Sequence, residues 1–234
     1  PYHPPPSRLP SPGNMTKIWI LLFTVGLGLG MLLVALLTAP PPPASSPELS
    51  PWQPPFTVVV DPGHGGHDPG AIVAGIQEKD ITLEISLRVL SLAKAIPQLR
   101  VVLTRMSDRY PELRERVRFA EEVGAALYLS IHANSFPDPA ICGVETLVDD
   151  SRPPDDPSWA LAQAVQKAVC ASTGAVDRGV RSQRLYMRHT HLPAALIEVG
   201  YLTCPAERAR LLDPWYQEEI ARGILRGIMD FLGP

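Results

Sequence analysis

The chain has 234 residues, 45% of them hydrophobic and 19% charged, with a formal charge of -3, enough for one well-buried domain plus an apolar segment. Lysines and arginines are scattered rather than run together, which excludes the basic footprint of a nucleic-acid binder. Proline is the outlier at 27 residues, and most of the excess lies before Pro55, so composition divides the chain in two.

Residues 1–17, "PYHPPPSRLPSPGNMTK", are too rich in proline and polar residues to pack a core and are expected to form a disordered tail. Residues 18–38, "IWILLFTVGLGLGMLLVALLT", carry no charge, and their length matches the roughly 20 residues that an α-helix needs to span a bilayer. A cleaved signal peptide would have an apolar region of only about 7–15 residues and a small-residue cleavage site, so an uncleaved anchor is the expectation. Arg8 and Lys17 precede this run and the following linker has no basic residue, which places the tail in the cytoplasm and the remainder outside the inner membrane. Residues 39–55, rich in proline, then read as an extended spacer.

From residue 56 on, short β-branched runs alternate with longer amphipathic stretches, predicting a single α/β layered domain with a mostly parallel central sheet flanked by helices. The expected strands are "TVVVD", "RVVLT", "AALYLSI", "GVETLV" and "AALIEV". Helices are expected over "EKDITLEISLRVLSLAKAI", where Ile81, Ile85, Val89, Leu92 and Ile96 recur at helical spacing, and over "PELRERVRFAEEV", "SWALAQAVQKAVCAST" and "EEIARGILRGIMDFL". The three cysteines, Cys142, Cys170 and Cys204, have no C-x-x-C spacing, and we read them as small buried apolar residues rather than a metal site, with a disulfide between two of them as the alternative.

The polar residues fall at telling places. "VVVDPGHGGHDPGA" stops a buried strand with Pro62-Gly63 and sets His64 just beyond its end; His132 ends "LYLSIH" and Glu198 ends "AALIE". In parallel strands such carboxyl ends share one rim, where open α/β sheets bind their ligands. Two histidines and a carboxylate form a ligand set of catalytic zinc, and hydrolysis needs a further carboxylate as base. Spacing alone does not say which glutamate is ligand and which is base.

The blocks "DPGHGGHDPGA", "QEKDITLEISLRV", "VVLTRMSD", "ELRERV", "SIHANS", "GVETL", "RGVR" and "PAALIEVGYLT" occur in the order and at the intervals of the zinc-dependent N-acetylmuramoyl-L-alanine amidases of the type 3 family, which the chain resembles over most of Phe56 to Leu232. The resemblance implies zinc held by His64, Glu78 and His132, with Glu198 catalytic, and hydrolysis of the amide between N-acetylmuramic acid and L-alanine in peptidoglycan. Beside these, Asp61 is expected to orient a ligand histidine and Asn134 to hydrogen-bond substrate. His67 is expected at the surface, and His189 or His191 is a candidate for the cleft wall. Some members of the family carry a long insertion with a helix that covers the zinc until a partner removes it. Here only "VDDSRPPDDPSW", Val148 to Trp159, joins the strand to the next helix, so no obligatory activator is expected.

Overall fold

The computed structural model describes Phe56–Gly233. The tail, anchor and spacer expected over residues 1–55 lie outside the described residues, and among the described ones no helix is long and apolar enough to cross a membrane.

The elements run β1 (Phe56–Pro62), β2 (Ile72–Val73), β3 (Ile76–Gln77), α1 (Glu78–Ala93), β4 (Leu99–Leu103), α2 (Leu113–Glu122), β5 (Leu127–Asn134), β6 (Val144–Asp149), α3 (Pro157–Thr173), β7 (Asp177–Gln183), a 3-10 turn (Tyr186–His189), β8 (Ala194–Tyr201), α4 (Pro205–Leu211) and α5 (Pro214–Leu232). Six strands form one sheet in the order β4-β1-β5-β8-β6-β7, and β2 and β3 form a separate hairpin. The pairings of β1, β4, β5 and β8 are parallel, as expected. At β6 the sheet reverses: β6 pairs antiparallel with β8 and parallel with β7. Strand β7 was not foreseen. Its sequence, "DRGVRSQ", lies at the sheet edge with no fully buried residue, so it lacks the apolar run by which a strand is recognised.

Side chains of a strand alternate between its two faces, and that parity organises the molecule. Val58 and Val60 of β1, Leu127, Leu129 and Ile131 of β5, and Ala195, Ile197 and Val199 of β8 enter the large core together with Ile85, Val165, Ile220 and Ile224 of the helices α1, α3 and α5. The opposite parity, Val59, Tyr128 and Leu196, packs against Ala120 of α2 and Met187 of the 3-10 turn in a thinner layer. Asp61, Ser130, His132, Glu198 and Glu145 have this second parity, so the sheet sets a row of polar groups on its thinly covered face.

Of the two readings of the cysteines, the disulfide holds for one pair. Cys142 and Cys204 form a disulfide with a Cα–Cα distance of 5.6 Å across a sequence separation of 62, while Cys170 is free. The pair joins the loop before β6 to the turn after β8, a proximity that only the antiparallel pairing creates. Cys204→Ser in the oxidised protein is expected to cost about 2–4 kcal/mol of stability in denaturant melts. Reduced wild type and the variant should then melt alike.

Candidate active site

The turn after β1 is built around one residue. His64 has φ 62°, a left-handed conformation that costs an L-residue about 1–2 kcal/mol. Its Nδ1 pairs with Asp68 Oδ2 at 2.8 Å and its Nε2 lies 3.1 Å from Glu78 Oε1. Glu78 comes to the site because the β2–β3 hairpin reverses the chain and makes it the first residue of α1. The same Oε1 lies 2.9 Å from His132 Nδ1 and accepts from the Ala133 amide at 3.0 Å. Oε2 accepts from the Ala71 amide at 3.0 Å.

One donor atom from each of His64, Glu78 and His132 lies within 4.8 Å of the others. Neutral imidazole nitrogen and carboxylate oxygen are the donors that zinc takes, and the backbone leaves room for them. A Cβ at Gly63 would stand 2.4 Å from the His132 ring, and one at Gly70 2.6 Å from both Glu78 Oε2 and His64 Cδ2. Burial by itself would raise the Glu78 pKa, but hydrogen bonds and charge from His132 and His64 outweigh it and hold the carboxyl well below its ordinary range. His64 is displaced upward, its burial being outweighed by Glu78 and Asp68. The residues present therefore fit a small divalent cation: an ionised carboxylate sits between two imidazoles, with Asp68 fixing one ring.

Glu198 is next to His132 across the β5–β8 pairing and opposite Glu145 across β6–β8. Its Oε2 is buried with no hydrogen-bond partner. Burial first, then the negative charges of Glu78 and Glu145, push its pKa well above the carboxylate norm of 4.5. A folded-state pKa above the unfolded one means that the native protein binds the extra proton, so stability falls as pH rises from 4.5 toward the raised value. Metal-free protein should show that decline in thermal melts, and Glu198→Gln should remove it. A variant that follows the wild-type pH curve would mean that Glu198 is ionised at no cost in the folded protein.

The geometry revises the role expected of Asp61. Asp61 touches neither imidazole; its carboxylate accepts from Tyr128 Oη at 2.6 Å, Ser130 Oγ at 2.8 Å, Arg116 Nη1 at 2.9 Å and the Thr104 hydroxyl. Burial raises its pKa, but Arg116 and the three hydroxyls more than offset that and keep it ionised. Asp68, four residues after His64, occupies the orienting place foreseen for Asp61. Asn134 Nδ2 donates to Glu145 Oε1 at 2.8 Å. Tyr201 Oη donates to the same oxygen at 2.6 Å. Glu145 escaped the sequence reading because it lies at the amino end of its strand, and only the reversal of β6 carries that end to the rim.

A cavity of about 320 Å³ opens beside the cup. His64, His132, Tyr110 and Arg116 line one part of it and Leu185 and Met187 another. The segment before β8 contributes this wall through Arg184 to Met187, not through His189 or His191. His67 is exposed, as expected, and packs against Tyr110 with ring centroids 4.3 Å apart and the planes tilted by 55°. The connection after β6 is a turn rather than a helix, and Arg152 ties it down by donating to the carbonyls of Met187 at 3.1 Å and Leu192 at 3.2 Å.

A donor cup, a buried carboxylate beside it and an adjoining cleft are the parts that metal-assisted hydrolysis uses. The comparisons with known proteins narrow the class. The family model Amidase_3, described as N-acetylmuramoyl-L-alanine amidase, matches residues 58–230, and the chain belongs to that family. It is 34% identical over 179 residues to the N-acetylmuramoyl-L-alanine amidase LytC of Bacillus subtilis, a match covering 75% of this chain and 35% of LytC. The chain thus corresponds to about a third of that relative's length. The catalytic domain of the amidase CwlV from Bacillus (Paenibacillus) polymyxa var. colistinus superposes with a TM-score of 0.71 at 40% identity, covering 76% of this chain and 98% of that one. CwlD of Clostridioides difficile, solved in complex with the GerS lipoprotein, does so with a TM-score of 0.67 at 30% identity, covering 76% and 98%.

Proposed function

We propose that Phe56–Pro234 hydrolyses the amide between N-acetylmuramic acid and the L-alanine of the peptidoglycan stem peptide, with zinc held by His64, Glu78 and His132 and with Glu198 as the general base. The observation that carries this reading is the convergence of the three donors beside a buried carboxyl oxygen without a partner. When bound, zinc supplies Lewis-acid polarisation of the amide carbonyl and brings the pKa of water down to about 7. The protein does the rest. Asp68 holds the His64 ring, and the Ala133 and Ala71 amides hold the Glu78 carboxylate. Glu198 accepts the proton of the attacking water and returns it to the leaving amine nitrogen, which separates as a neutral amine. Burial and the charges of Glu78 and Glu145 raise the Glu198 pKa, and positive charge held in the cup would act in the opposite direction.

Membership of the amidase family supports peptidoglycan as substrate. We also propose that residues 18–38 anchor the chain in the inner membrane, with the catalytic domain periplasmic or otherwise extracytoplasmic. The uncharged apolar run supports this, as does the Cys142–Cys204 disulfide, since such bonds persist in oxidising compartments. We read the cleft as open without an activator, because the connection after β6 is short and tied back by Arg152. Chelator treatment of the purified full chain should abolish release of stem peptides from peptidoglycan, and added zinc should restore it. Turnover that persists in the stripped protein would sink the metal reading, and absence of turnover with zinc restored would favour a wall-binding module.

A further inference from the structure

Two arginines reach the site from outside the ligand set. Arg105, at the end of β4, donates from Nε to Pro62 O at 3.0 Å and from Nη2 to Gly63 O at 2.8 Å. Its Nη2 also donates to Lys79 O at 2.8 Å and Thr82 Oγ1 at 3.1 Å, so it joins the start of the turn to the head of α1. Arg116, on α2 and only 2% exposed, goes one peptide further. Its Nη1 donates to Asp61 Oδ1 at 2.9 Å and to Pro62 O at 2.8 Å, its Nη2 to His64 O at 2.7 Å, and its Nε to Pro111 O at 2.8 Å. The guanidinium thus grips the carbonyl of the residue whose backbone is left-handed, and Asp61 supplies its counter-charge.

We propose that Arg116 is a positioning residue of the metal centre: it holds the Pro62–His64 turn in its left-handed course, so that the His64 imidazole faces Glu78 and His132 before any cation binds. The proposal rests on the metal reading above. A left-handed histidine followed by Gly65 and Gly66, both also at positive φ, has easy alternatives open to it, and each would swing the imidazole out of the cup. A planar guanidinium can serve two carbonyls and a carboxylate at fixed angles; a lysine ammonium, a single point donor on a flexible stem, cannot reproduce that fork. Asp61 then acts at one remove. Held by Tyr128, Ser130 and Thr104, it fixes where the guanidinium sits, which gives the buried carboxylate a purpose although it touches no imidazole.

The test uses the full chain and zinc itself. Zinc affinity is read by competition with a chromogenic chelator, alongside the thermal midpoint of the metal-free protein and peptidoglycan turnover at limiting and saturating zinc. Arg116→Lys should weaken zinc binding by about 10–100-fold, the range seen when groups that orient metal ligands are removed. Its turnover should fall at limiting zinc and largely recover at saturation. Glu207→Gln is the control: Glu207 is a buried carboxylate that accepts from the Gly143 and Tyr201 amides, away from the turn, so its loss should lower the melting point but change zinc affinity by no more than about twofold. Should Arg116→Lys fail to fold, Tyr128→Phe carries the test, since it takes a hydrogen bond from Asp61 with little change of volume; a drop in affinity beyond that of the control supports the proposal. Affinity within about twofold of wild type in the folded Arg116 or Tyr128 variant, with only a lower melting point, would reduce Arg116 to a structural ion pair. Failure of the wild type to bind zinc would instead remove the metal reading itself.

Discussion

Glu198→Gln should lose hydrolysis by about 100-fold to 10,000-fold, the range that a positioned general base contributes, while keeping its zinc. The substitution preserves shape and takes away only the ability to accept a proton. It also leaves His64, Glu78 and His132 untouched, because Glu198 stands beside the cup, paired in register with His132 and Glu145, rather than within it. The metal-free variant should lose less stability than wild type as pH rises above 4.5, since a carboxyl whose pKa burial raises is replaced by an amide that does not titrate. Metal content and turnover are to be measured on one sample. Loss of zinc with the substitution would exchange the roles of Glu78 and Glu198, and near-normal turnover would remove Glu198 from the chemistry.

The second large effect is on stability. Asp61→Asn removes the counter-charge of a guanidinium that is itself buried, and breaking such a pair from one side costs about 3–5 kcal/mol. Against the roughly 5–15 kcal/mol of a typical domain this is a large fraction, and the melting temperature should fall by about 10 °C. The pH dependence gives a separate signature. The folded-state pKa of Asp61 lies below its ordinary 3.8, so its contribution is present above that value and is lost as pH falls through the folded-state one. Wild type should therefore lose stability in acid more steeply than the Asn variant. Parallel acid curves with equal midpoints would mean that the Asp61–Arg116 pair contributes little.

Much of the site was legible because strands announce their ends. "VVVDPGH", "LYLSIH" and "LIE" each pair an apolar run with one reactive residue at its close, and parallel strands bring such closes to a common rim. Glu78 could not be reached that way. It heads a helix and arrives through a hairpin of two-residue strands, too short for any periodicity, so its place in the cup rested on resemblance to the amidases. Glu145 was hidden by the reversal of β6, a property of pairing rather than of local sequence. Arg105 and Arg116 looked like ordinary charged residues, since the Pro62, Gly63 and His64 carbonyls that they hold lie 42 to 54 positions away. The disulfide was hidden for the same reason: Cys142 and Cys204 meet only after β6 and β8 pair. Strand parity was available, however. Counting by twos from His132 through Ser130 to Tyr128, and from Glu198 to Leu196, puts both reactive residues on the face that α2 only partly covers.

Mass spectrometry of the products reads which bond is cut, and the proposed reaction cuts the one joining sugar to peptide. Peptidoglycan digested by the zinc-loaded full chain should yield intact stem peptides with a free L-alanine amino terminus and glycan strands whose lactyl groups end in carboxylate. Both products should disappear with Glu198→Gln. Fragments cut between residues of the stem peptide, with L-alanine still joined to muramic acid, would contradict the account and make the protein a peptidase.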